Sequence, residues 1–325
     1  MFRILLLTVL FLTTFQSQAF AQAERWNHQN WTTDFGKTVI DFGEIIDVIA
    51  PDAIPSIDEP TFQPAKQETD IPGNEPVIAF EHNGVARAYP LRYLMWHEIV
   101  NDTVGGLPVA VTYCPLCNTS IVFERTLDGE EITFGTTGKL RHSDLIMYDR
   151  TEQNWWQQFN GEALVGVRAG EKLQALPSFL ISFDLFNERY PEGEVLLADP
   201  SRARRSGDNP YVNYDSSQFP FLFRGELPTD IEPMTRIAFV QDPEPIAISL
   251  SHLEKNAPVR VNNMEFRWQA GQASALDTSR IANGKDVGNI EVYNILPDGM
   301  AEPVVYTVTF AFAARAFMPE LEIIQ

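Results

Sequence analysis

The run Tyr113-Cys114-Pro115-Leu116-Cys117-Asn118 holds both cysteines of the 325-residue chain, and its flanks constrain the fold more than any other feature. Val109 to Tyr113 before it and Thr119 to Phe123 after it are rich in β-branched residues, the mark of strands. The CxxC motif is therefore predicted on a turn between two strands. A thioredoxin-like site instead opens a helix, whose dipole helps to lower a thiol pKa. A disulfide between these two residues closes a ring of only four residues. In the chain-entropy model that ring is worth roughly 2 kcal/mol, against roughly 4.7 for a 100-residue loop. A pair so close in sequence points to dithiol redox chemistry or to a soft metal rather than to a scaffold bridge.

The elements around the motif follow from turn chemistry. Val77 to Phe80 and Val85 to Tyr89 flank His82-Asn83-Gly84, and Asn-Gly is a strong signal for a two-residue hairpin turn. Pro90 then opens a short helix predicted from Leu91 to about Asn101. Asp128-Gly129 marks a second hairpin. Continuing its register without slippage sets Phe123 opposite Phe134, Cys117 opposite Leu140 and His142 opposite Pro115. His142 is therefore the first candidate for an imidazole beside the thiols. The second is His97, which lies off the Leu91, Leu94, Met95 and Ile99 stripe of the predicted helix. Met147 is a candidate thioether ligand. Trp155 and Trp156 read as core packing or as a stacking platform for a flat ligand. Glu98, Asp102, Asp144 and Asp149 are carboxylates available for acid-base chemistry in a chain where carboxylates abound.

The first residues read as an export signal. Arg3 precedes an apolar run from Ile4 to Phe15 that is 12 residues long, too short for a helix to cross roughly 30 Å of hydrocarbon. Ala19-Phe20-Ala21 supplies a small-x-small cleavage pattern, which assigns residues 1–21 to a signal peptide. The protein is expected in the periplasm or secreted, with no stable membrane span after cleavage. Its 24 basic side chains stand against 44 acidic ones, and loss of Arg3 with the leader leaves 23 against 44, a net charge of −21. Such a field repels nucleic acid and anionic lipid headgroups. Partners are narrowed to an unknown small ligand or another protein. Arg202, Arg204 and Arg205 form a local basic cluster against this background, a solvated loop or an anion contact.

Five prolines between Pro51 and Pro72 and the absence of sustained periodicity mark residues 22–75 as an extended arm over the body. Two lobes follow, residues 76–200 with the CxxC site and 234–325 without cysteine, joined by 201–233. The division rests on internal echoes. Ile78-Ala79-Phe80 and Ala88-Tyr89-Pro90-Leu91 recur as Ile237-Ala238-Phe239 and Ala247-Ile248-Ser249-Leu250 at the same spacing, and Phe183 to Pro191 resembles Phe310 to Pro319. The expected fold is α+β and β-dominated: antiparallel hairpins with a few short helices, in two related lobes from a divergent duplication.

Several segments come in a specific order: Ala88-Tyr89-Pro90-Leu91, His97-Glu98-Ile99-Val100-Asn101-Asp102, Gly105 to Val109, the Cys motif, Phe134-Gly135 with Gly138-Lys139-Leu140, Asp149-Arg150, Trp155 to Gln158, Asn209-Pro210-Tyr211 and Phe221 to Gly225. In these the chain resembles the domain of unknown function 3179 family from about Pro55 into the 320s. The resemblance implies a largely prokaryotic, often exported group, and carries over no reaction.

Four functions remain open on the sequence. The first is a copper or zinc site of Cys114 and Cys117 with His142, His97 or Met147. The second is a thiol-disulfide oxidoreductase with Cys114 attacking. The third is a non-catalytic ligand-binding or interaction module, and the fourth a cysteine hydrolase using Cys114, His97 and an acid.

Overall fold

The computed structural model describes residues 23–198 and 207–325. The expected signal segment and the Arg202, Arg204, Arg205 cluster lie outside the described residues. Asn83 and Gly84 both take positive φ, as a type I′ turn requires, and close the hairpin of Pro76–His82 with Val85–Pro90. Phe179–Ser182 adds antiparallel to its outer edge, and Glu194–Leu196 adds parallel to the other. Leu107–Cys114 sits at the centre of a second sheet, between Ile99–Val104 and Thr119–Glu124. A third sheet runs Ile45–Asp47, Phe134–Arg141, Asp144–Asp149, Trp155–Gln157, Ala163–Val165. The body is β-dominated, its pairings are almost all antiparallel, and its α-helices are short.

The C-terminal part repeats the first connection pattern. Arg236–Val240 and Ile246–Ser249 form a hairpin. Thr307–Phe310 pairs antiparallel on one edge, and Ile323–Ile324 parallel on the other. Each hairpin's second strand runs into a helix, Leu91–His97 or Leu250–Asn256. Each outer strand does the same, into Phe183–Arg189 or Ala311–Phe317. The sequence echoes fall on these equivalent strands and helices. Hydroxyls at matching ends cap two of the helices, Ser182 accepting from the Leu185 amide and Ser249 from the His252 amide.

Three expectations need correction or refinement. The first helix ends at His97, not near Asn101, because Glu98 takes a positive φ of 58° and Ile99 already pairs with Thr112. The Asp128-Gly129 hairpin has the expected Leu127 to Glu130 pair but stops after Thr126 and Glu131. Both edges of Thr119–Glu124 are already occupied, by Leu107–Cys114 and by Ala175–Leu176, so the returning chain cannot continue the ladder. Phe134–Arg141 pairs with Asp144–Asp149 instead, which sets Leu140 opposite Leu145. The N-terminal arm is partly built into the sheets: Ile45–Asp47 joins Phe134–Arg141, and Phe62–Pro64 joins Glu194–Leu196. Trp26 and Phe42 from the arm pack with Trp155, Leu164 and Val165 as a second apolar cluster.

Candidate metal centre

The Cys motif occupies the turn between Leu107–Cys114 and Thr119–Glu124, with Cys114 paired to Thr119 across the hairpin. Both cysteines are free thiols and buried. The turn is clamped from the C-terminal half. The Cys117 carbonyl accepts from Thr309 Oγ1 at 2.9 Å and from the Phe310 amide at 3.2 Å, while Asn118 Nδ2 donates to the Val308 carbonyl at 2.9 Å. Asn118 holds the left-handed φ of 57° that ends the turn.

A second turn faces the first. Arg141 pairs with Asp144, so His142 and Ser143 form a two-residue connection, and both have positive φ, 55° and 66°. Asn-Gly would be the relaxed choice for such a turn; a His-Ser pair stores backbone strain, as functional sites often do. The Cys117 thiol donates to the Ser143 carbonyl at 3.3 Å, and the Cys114 thiol reaches the same oxygen at 3.8 Å.

Asp144, the next residue, completes the cluster. One ligand atom from each of Cys114, Cys117 and Asp144 lies within 4.8 Å of the other two, and all three residues are buried. Asp144 Oδ1 accepts from Gln157 Nε2 at 2.7 Å and from the Phe159 amide at 2.9 Å. Oδ2 lies 3.3 Å from the Thr119 hydroxyl, whose proton has a closer acceptor in Gln158 Oε1 at 2.7 Å, and the Cys114 thiol also hydrogen-bonds the carboxyl. One oxygen is thus anchored by two outer donors and the other is held more loosely beside the thiols.

The electrostatics of this cluster are one-sided. Burial pushes the Asp144 carboxyl up to about 7, against the hydrogen bonds that hold it down. Burial, then the Asp144 charge, pushes the neighbouring Glu98 up to about 8. Burial also raises both thiols, Cys117 well above its ordinary value, and Asp144 adds to the rise in each. Among the described residues, no basic side chain stands among the principal influences on any of the four. Four acids therefore share a buried site in which no cation among the described residues balances their negative forms.

The sequence candidates distribute as follows. Cys114 and Cys117 converge. His142 arrives beside the thiols through its main chain, its carbonyl 3.9 Å from Cys117 Sγ, by the short turn rather than by the expected ladder. Its imidazole Nε2 stands 3.5 Å from Glu44, its ring edge meets Phe317, and burial followed by Arg141 pushes its pKa down to about 4. His97 is buried, with Nδ1 donating to the Pro55 carbonyl at 2.8 Å. Neither imidazole belongs to the three-residue group of ligand atoms. Met147 is fully buried in the principal core. Trp155 and Trp156 are also fully buried and so present no stacking platform. Asp102 is committed to Arg87 and Tyr89, and Asp149 to the turn amides of Glu152, Gln153 and Asn154.

Residues 51–321 match the family described as a protein of unknown function, DUF3179. The chain belongs to that family. No curated protein and no solved structure matches it. In this DUF3179 protein, sequence reasoning passed over Asp144 as a candidate ligand and Gln157 as its support. A signal was present in the Trp155 to Gln158 run, whose glutamines hold the site while its tryptophans fill the cores.

Proposed function

We propose that the protein binds one soft or borderline transition-metal ion, copper or zinc, through Cys114, Cys117 and Asp144. The observation that carries the reading is the buried group of two thiols and a carboxylate, with no cation among the described residues as a principal influence on it. A divalent ion supplies the missing charge and displaces the thiol protons, since coordination deprotonates a thiol outright. The carboxylate leans the set toward zinc, and three protein ligands leave a fourth position for water or an exogenous group. His142 and His97 enter the set only by leaving Glu44 and Pro55. The dithiol reading is weaker, because an attacking cysteine needs a depressed pKa and both thiols here are raised.

The N-terminal signal pattern supports an exported protein acting in the periplasm or outside the cell, with a small ligand or a protein as its partner. The shared connection pattern of the two sheets supports the second as a divergent copy without cysteines. Elemental analysis of the purified protein, paired with thiol counting, tests the metal reading. One equivalent of zinc or copper, lost in both Cys114→Ser and Cys117→Ser, is the expected result. A metal-free protein with a reversible Cys114–Cys117 disulfide would replace this reading with the oxidoreductase one.

A further inference from the structure

A cleft bordered by Val48, Ile49, Leu145, Tyr211 and Phe221 touches the Cys turn at Leu116, and Glu98 lines it, whereas Cys114, Cys117 and Asp144 do not. Two of its other polar side chains are turned elsewhere. Lys139 Nζ donates to Gln29 at 2.6 Å and lies 3.2 Å from Asp47, while the Thr136 hydroxyl donates to the Ile54 carbonyl. Glu98 is 9% exposed, and among the described residues its carboxylate has neither a hydrogen-bond donor nor an ion pair. It is held there by a backbone that costs energy, with φ at 58° between the last helical turn and the strand that follows. Its main chain is pinned on both sides, the amide donating to Leu94 and the carbonyl accepting from Tyr113. Its charge acts on Cys114 and Tyr211, and the Asp144 charge acts on it, yet it lies outside the three-ligand group.

We infer that Glu98 is a transit ligand, a carboxyl group that releases its proton to solvent as it takes up the metal ion in the cleft and passes the ion to and from Cys114, Cys117 and Asp144. The inference rests on the proposed metal site. A hydrated dication loses water unfavourably between apolar walls, and an anionic oxygen part-way along lowers that barrier. A group touched only in transit affects capture and release alike and leaves the bound and free end states nearly unchanged.

The test is stopped-flow exchange of zinc between the full-length protein and a chelating dye, with equilibrium competition for affinity, in wild type, Glu98→Gln and Glu98→Asp. Expected for Glu98→Gln are one equivalent of zinc, affinity within about threefold, and capture and release both slowed at least about tenfold. Glu98→Asp, which retains an ionisable carboxyl, should recover part of the rate and guards against a folding defect in the amide variant. Unchanged exchange rates in Glu98→Gln would overturn the inference. So would a tenfold loss of affinity with capture intact, which would make Glu98 a ligand of the final site. Failure of the parent reading shows separately, as wild type that takes up no zinc dependent on Cys114.

Discussion

Asp144→Asn should change how the stability of the metal-free protein depends on pH. The carboxyl is fully buried and its pKa rises from an ordinary 3.8 to about 7 on folding. The folded form therefore keeps a proton that the unfolded chain gives up. Stability from this group is complete below pH 3.8 and is lost as the pH rises through about 7. At roughly 1.4 kcal/mol per pH unit, the loss is about 4 kcal/mol. Asparagine keeps the oxygen that accepts from Gln157 and Phe159 and removes the ionisation. Denaturant unfolding of chelator-treated wild type and Asp144→Asn, at pH 4 and pH 8, should show the stability difference moving in the variant's favour by about 4 kcal/mol. Subtracting one protein from the other cancels the general repulsion of an acidic chain. A difference constant to within about 1 kcal/mol would refute the buried-acid argument. Saturating zinc should restore the wild type at pH 8, by about 4 kcal/mol at a thousand-fold excess over its dissociation constant.

Gln157→Ala removes the amide that anchors Asp144 Oδ1 and should weaken zinc about 10–100-fold in a competition titration without changing stoichiometry. In the metal-free native protein, alkylation at pH 7 should be slow at both thiols and become fast on unfolding; rapid labelling of Cys114 alone would favour the oxidoreductase reading. Glu75→Gln leaves the Arg92 guanidinium buried without its bidentate partner, now at 2.7 and 2.9 Å, and should cost about 3–5 kcal/mol in denaturant unfolding. Gly138→Ala should destabilise by at least about 2 kcal/mol by the same measure, since φ is +71° and the new Cβ would sit 2.2 Å from the Ile49 carbonyl oxygen.

Local chemistry was legible wherever a few adjacent residues decide the backbone. Asn83-Gly84 and Asp128-Gly129 read as turns because both central residues tolerate positive φ, and both take it. The β-branched flanks of the Cys motif placed it on a strand-to-strand turn, and that hairpin forms. Burial of the tryptophan pair was likewise open to sequence reasoning.

Partner choice was not legible. The Asp128-Gly129 turn is correct for two residue pairs, yet the strands beyond it separate because Thr119–Glu124 has neighbours on both edges, one contributed from some fifty residues downstream. Whether an edge is free depends on every other strand in the sheet, and no local pattern carries that information. The same applies to the site. Cys114 and Cys117 were evident from their spacing alone, whereas Asp144 and Glu98 looked like two among 44 acids. What separates them from Asp102 and Asp149 is what surrounds each carboxylate. Arg87 and a set of turn amides satisfy the latter two, while burial, with no cation among the described residues to offset it, leaves the former two raised beside the thiols. Sequence alone determined which residue types are close along the chain; tertiary structure alone decided which acids are desolvated together, because desolvation belongs to the packed whole and not to any segment of it.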